Sequence, residues 1–195
     1  MVYRPAEDSY LLSKYVERMA EGLVLDLGTG SGIQALTAAS KPEVSQVLAT
    51  DVSVEAVGEA RGRAVAEGLL GKVGFLVGDL FGPIRGGVFD VVVFNPPYLP
   101  SEDWELRDEA SRAWSGGPTG GEVFRRFLSE AWRYLKPSGF VLTVVSSLTG
   151  VSLEEIGGYG YRVEILGRVR LFFEELLCLK LTPRRGRKAC PGSPS

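Results

Sequence analysis

The run from Phe89 to Tyr98, FDVVVFNPPY, constrains the fold more than any other stretch of the chain. Asp90 to Phe94 is short, apolar and rich in Val, the pattern of a strand buried on both faces of a parallel sheet. It stops at Asn95, and Pro96 and Pro97 cannot continue a ladder because neither offers an N–H. A rigid polar turn therefore stands at the carboxyl end of a central strand, where open α/β sheets place their ligands. Asn95 is also the only asparagine in the chain. Its bland reading is an Asx-type turn residue; its sharper one is a side-chain amide placed to accept a hydrogen from a planar –NH2 group.

Other strand ends carry matching chemistry. Leu23 to Leu27 reads as a first buried strand, ending in Gly28-Thr29-Gly30-Ser31-Gly32 and followed by the helical IQALTAAS. Glycines there let the backbone approach a ligand closely, but the dinucleotide pattern G-x-G-x-x-G is not met, since Ile33 or, one step on, Ala35 stands where its last glycine would. Asp26, just before the turn, would repel a pyrophosphate and attract a cation. Val44 to Thr50 reads as the second strand, ending in Asp51 and Val52. A carboxylate there can accept both hydroxyls of a ribose, or it can cap the next helix, a role open equally to Ser53. After a third strand, Val73 to Val77, Asp79 can accept from an adenine amine and Leu80 can pack on the ring. Four carboxyl-end positions in order are hard to explain as loop chemistry.

The rest of the chain supplies the layers. Leu11, Leu12, Tyr15, Val16 and Met19 predict an amphipathic helix over Glu7 to Ala20, opened by YRPAEDS, whose Glu7, Asp8 and Ser9 can face a ligand. Pro100 to Trp114 is long, acidic and aromatic. It reads as a surface loop or as a lid beside a substrate channel, with Gly116-Gly117 and Gly120-Gly121 as hinges. Its carboxylates would favour a basic substrate over a phosphate backbone. A helix is expected from Glu122 to Leu135, with Val123, Phe127, Leu128, Ala131 and Leu135 inward. Then follow a turn at Lys136–Gly139, a strand from Phe140 to Val145, and at most a short helix within Leu148–Ile156. Tyr161 to Leu166 and Leu171 to Leu181 read as a hairpin. The expected fold is a doubly wound, Rossmann-like α/β domain. Its sheet has seven strands, mostly parallel with one antiparallel strand, and helices on both faces. One domain is expected over residues 1–182, with residues 1–21 part of the cofactor site, and a basic, solvated tail over 183–195.

Composition narrows the chemistry. A chain of 195 residues with 45% hydrophobic and 24% charged residues can bury a substantial core. A net charge of -2 gives no sign of a nucleic-acid surface. The absence of histidine removes His-based catalysis and His metal ligands, and two cysteines make neither a disulfide framework nor a zinc site. No signal peptide or spanning segment is read from the sequence, so a cytoplasmic location is expected.

The motifs YRPAEDSYLL, LDLGTGSG, ATDVS, GDLF, VVVFNPPYLP, SGGPTGGEV and FFEELLCLKL resemble those of class I methyltransferases that use S-adenosylmethionine (SAM). The match is to the HemK-like group, especially the archaeal and eukaryotic glutamine N5-methyltransferases of class-1 peptide release factors. The opening YRPAEDS with no preceding helical domain points to the shorter branch. The resemblance implies SAM contacts at Ser9, Asp26, Gly28, Thr29, Gly30, Asp51, Val52, Asp79, Leu80 and Asn95, and S-adenosylhomocysteine as product. It implies that Asn95, Pro96, Pro97 and Tyr98 hold the acceptor, with Asn95, Pro96 and Tyr98 catalytic and no metal. Family members often carry Glu where this chain has Asp26. A glutamine in a Gly-Gly-Gln loop is the implied substrate, and a small zinc-binding activator beside the third strand the implied partner. Lysine side chains and adenine N6 remain alternative acceptors, and a non-catalytic SAM-binding scaffold a remoter one.

Overall fold

The computed structural model describes residues 2–82, 84–97 and 120–184. In chain order its elements are α1 (Glu7–Met19), β1 (Gly22–Leu27), α2 (Ile33–Ala39), β2 (Val44–Asp51), α3 (Val54–Ala66), β3 (Val73–Val77) and β4 (Phe89–Phe94). Then come α4 (Glu122–Glu130), β5 (Leu135–Ser146), α5 (Leu153–Gly158), β6 (Tyr161–Arg170) and β7 (Glu175–Pro183). The seven strands form one sheet in the order β3-β2-β1-β4-β5-β7-β6. The first five strands pair in parallel. β7 runs antiparallel to both β5 and β6. This is the expected doubly wound sheet with one antiparallel strand.

The Val-rich run is buried on both faces because it has no polar side to offer water. Val91 and Val93 join Leu12 and Val16 of α1 and Ala35 and Ala38 of α2. Val92 and Phe94 pack on the other face with Phe124, Phe127 and Leu128 of α4 and Ile156 of α5. Strand order reverses between β1 and β4, so their carboxyl ends border the crevice of a topological switch point.

Several boundaries differ from the sequence reading. The expected turn at Lys136–Gly139 is an irregularity within β5, where Leu135 pairs with Phe89 and Phe140 with Val91. A Cβ on Gly139 would stand 2.8 Å from the Phe89 carbonyl oxygen, so glycine permits the close approach. α4 ends at Glu130 and continues as a tight turn over Ala131–Arg133. Its inward stripe is Phe124, Phe127, Leu128 and Ala131, with Val123 only half-buried, because the larger aromatic fills the layer and stacks on Phe127 at 5.9 Å. β6 runs on to Arg170, and the hairpin turns at Leu171–Glu174, where Leu171 N donates to Glu174 O at 2.8 Å. β7 continues to Pro183, and Arg184 N donates to Gly160 O at 3.0 Å, so the fold reaches past residue 182. Tyr98, the acidic stretch Pro100–Trp114, Gly116-Gly117 and the tail from residue 185 lie outside the described residues. Among the described residues, no helix is long and apolar enough to cross a membrane.

Candidate active site

The turn after β1 is shaped by left-handed glycines, Gly28 at φ +63° and Gly30 at φ +53°. Gly28 is exposed, and a Cβ on Gly30 would meet nothing within 4 Å, so the turn opens onto the crevice. Two carboxylates pin it from below. Asp26 Oδ2 accepts from Thr29 Oγ1 at 2.7 Å and from Ala35 N at 3.0 Å. Asp51 Oδ2 accepts from Gly30 N at 2.9 Å, and its Oδ1 accepts from Ser53 N at 2.9 Å. Burial pushes the Asp26 carboxyl up to about 7, against the hydrogen bonds from Thr29 and Ala35, and the nearby Asp51 charge adds to the rise. Burial raises Asp51 as well. Two neighbouring buried acids disfavour each other's ionisation, and a cation in the crevice would relieve both.

Ser53 caps α3 by accepting from Ala56 N at 3.3 Å, so Asp51 is not needed as a cap. Val52, beside it, keeps 37% of its surface exposed at the strand end. After β3, Asp79 is exposed and its Oδ2 accepts from Arg126 Nη2 of α4 at 2.7 Å. Leu80 follows at φ +46°, the one non-glycine with positive φ among the described residues. That conformation costs an ordinary side chain about 1–2 kcal/mol, and such strain concentrates at ligand-binding turns. The turn is held by Gly78 N donating to Asp51 O at 2.9 Å and Gly82 N to Asp79 O at 3.1 Å.

Asn95 follows Phe94, whose ring is fixed against Phe127 with centroids 4.6 Å apart. Asn95 Nδ2 donates to Asp8 Oδ2 at 2.9 Å and lies 3.4 Å from Ser9 Oγ. A carboxylate oxygen accepts, so Asp8 fixes the amide with its NH2 toward α1 and its oxygen turned away from Asp8. Asn95 Oδ1 is buried and has no hydrogen-bond partner among the described residues. Asp8 is itself held, its Oδ1 accepting from Tyr3 OH at 2.7 Å and from Ser9 N at 2.6 Å. Pro96 is buried and Pro97 half-buried beyond it.

The structure thus gathers Ser9, Gly28, Gly30, Asp51 and Asn95 at the ends of β1, β2 and β4 and the start of α1. Leu80 and Asp79 stand at the end of β3, toward the sheet edge. Asp26 and Thr29 lie beneath the turn, 1% and 4% exposed. Sequence reasoning placed Asp8 with Glu7 and Ser9 at a helix start facing a ligand, but gave it no role as the partner of Asn95. It also passed over Gln34, whose Nε2 donates to Ser9 O at 2.9 Å while its Oε1 is buried without a partner among the described residues. A glutamine in the otherwise small and apolar helix IQALTAA was the available clue.

A family profile described as Methyltransferase small domain matches residues 6–112. A Methanocaldococcus jannaschii protein with the provisional name protein N5-glutamine methyltransferase is 37% identical over 181 residues, covering 91% of this chain and 90% of that one. The release factor glutamine methyltransferase of Moorella thermoacetica is 35% identical over 68% of this chain, which spans 49% of that longer protein. Among solved structures, the E. cuniculi Mtq2–Trm112 complex, responsible for methylation of the eRF1 translation termination factor, matches with a TM-score of 0.71 and 28% identity. That match covers 93% of this chain and 98% of the other. The chain belongs to the methyltransferase small-domain family, in the group that holds the N5-glutamine methyltransferases.

Proposed function

We propose that the chain transfers a methyl group from SAM to the N5 side-chain nitrogen of a glutamine in the Gly-Gly-Gln loop of a class-1 peptide release factor. The observation that carries this reading is Asn95 Oδ1, a buried acceptor on the amide whose Nδ2 is held by Asp8, without a hydrogen-bond partner among the described residues. An amide –NH2 supplies the missing donor. The names of the M. jannaschii, Moorella and E. cuniculi relatives support the same acceptor.

The residues present fit SAM. The open turn at Gly28 and Gly30 admits a ligand backbone-close, the buried Asp26 and Asp51 favour a cationic group, and Asp51 can take ribose hydroxyls. Val52 and Leu80 would flank the adenine, Asp79 would accept from its amine, and Ser9, Thr29 and Asn95 would complete the set. When bound, SAM supplies an electrophilic methyl group on its sulfonium.

The chain's own work is to hold the acceptor. A glutamine amide nitrogen is a poor nucleophile because its lone pair is delocalised into the carbonyl. Asn95 Oδ1 would accept one N–H and the Pro96 carbonyl the other, while Pro97 keeps the turn rigid; the expected role of Tyr98 falls outside the described residues. Most of the gain comes from positioning and from fixed dipoles. The segment before β1 would join the site through Asp8 and Ser9.

The partner we infer is a small zinc-binding activator at the β3 edge. β3 ends the sheet, with one strand neighbour, and Val77 is 42% exposed. An uncovered apolar edge invites strand addition. The experiment for the whole reading is methylation of a purified class-1 release factor by Asn95→Ala beside the wild type. SAM binding persists and transfer disappears in the variant; transfer that survives Asn95→Ala overturns the reading.

A further inference from the structure

The tip of the β6–β7 hairpin carries two side chains that the fold does not use. Phe172 and Phe173 are 91% and 85% exposed. Their rings meet edge-to-face with centroids 4.6 Å apart, so they present one apolar ridge rather than two scattered residues. Leu171, 37% exposed, extends it. The ridge is firmly mounted. Ser147 N donates to Glu175 O at 2.9 Å, and Glu175 N donates to Ser147 Oγ at 3.1 Å, tying the hairpin to the carboxyl end of β5.

That end is the active-site end. β4 and β5 run parallel with Phe94 opposite Thr143, so Ser146 stands beside the turn that begins at Asn95. Burial raises the Glu174 carboxyl, next to Phe173, and the charges of Asp8 and Glu7 of α1 add to the rise. The tip therefore presents exposed aromatic rings at the end of the sheet where Asn95 and its partner Asp8 stand. Its guanidinium groups are already paired, Arg168 and Arg170 lying 3.4 and 3.1 Å from Glu175. Among the described residues, the charge left on the site side is acidic, from Glu174 and the exposed Glu7.

We propose that Phe172 and Phe173 are a docking anchor for the methyl-acceptor protein, taking an apolar side chain of that protein that is flanked by a basic one and lies beside the modified residue. This rests on the functional reading above. A second copy of the chain is a poorer occupant, because two rings fall far short of the roughly 800 Å² per partner of a stable interface. An anionic membrane would be repelled by the neighbouring carboxylates.

The test compares wild type, Phe172→Ser/Phe173→Ser and Phe172→Leu/Phe173→Leu, each with the zinc-binding partner added, over a full range of release-factor concentrations. Both substituted residues are exposed, and circular dichroism and SAM affinity check the fold. In the Ser variant KM for the release factor rises about tenfold or more, while kcat stays within about twofold and SAM affinity is unchanged; the Leu variant recovers most of the loss. A KM that does not move overturns the anchor, as does a wild-type dimer that the Ser variant dissolves without a change in KM. Silence of the wild type toward the release factor, with SAM bound, is a separate outcome that overturns the functional reading and the anchor with it.

Discussion

Asp8 Oδ2 accepts from Asn95 Nδ2 at 2.9 Å, so the start of α1 sets the orientation of the side chain at the end of β4. The amide's direction is decided by a residue remote from it in sequence. Asp8→Ala frees Asn95 to rotate and leaves Tyr3 OH and Ser9 N without their acceptor. Turnover should fall on the order of 100-fold, the cost of misplacing a reacting group, with SAM affinity reduced far less. Steady-state kinetics beside calorimetric SAM binding check this; equal losses in both would assign Asp8 a merely structural role.

Leu80 allows strain to be separated from packing. Leu80→Ala and Leu80→Gly both remove the side chain, but only glycine is at ease at φ +46°. The Gly variant should be the more stable of the two by about 1 kcal/mol, reversing the usual order of these residues. Thermal or urea unfolding of the pair measures it. Ala equal to or above Gly would contradict the left-handed turn.

Asp26 makes stability depend on pH. Its folded-state pKa of about 7 lies above the ordinary 3.8, so the folded protein binds more protons than the unfolded chain between those values. Stability from this group is therefore present at low pH and lost as pH rises toward about 7. Asp26→Asn keeps a carbonyl acceptor for Thr29 and Ala35 and should flatten the profile, gaining on the wild type by roughly a few kcal/mol at pH 8. Denaturant midpoints from pH 5 to about 8 read the difference. Parallel profiles in the two proteins would remove Asp26 as the source.

A cationic ligand over these acids should reverse that trend. SAM affinity should rise with pH across the same window, with a proton released on binding, because the ligand favours the ionised carboxylates. Calorimetry in buffers of different ionisation enthalpy counts the proton. Flat affinity and no proton release would place the ligand's cation away from Asp26 and Asp51.

Much of this was legible in the residues. Val91 to Phe94 could only be a strand buried on both faces, and the two prolines after Asn95 could only end it. The turn after Leu27 and the acid at the end of β2 followed from glycine spacing and strand length. Other features were set by packing that no local pattern records. Phe124 displaced Val123 from the inward stripe because ring volume, not periodicity alone, filled the layer beside Phe81 and Phe127. The irregularity within β5 at Lys136–Gly139 depended on a neighbour, Phe89, far away in the chain. Asp8 was visible as an acid at a helix start, but its bond to Asn95 is tertiary and had no signature of its own.

The most direct measurement is transfer of labelled methyl from SAM to a purified class-1 release factor, intact and with Gln→Ala in its Gly-Gly-Gln loop. It is run with and without the zinc-binding partner. The account predicts label on the intact factor alone. Label on both factors, or on neither while SAM remains bound, would contradict the claim that Asn95 waits for a glutamine amide.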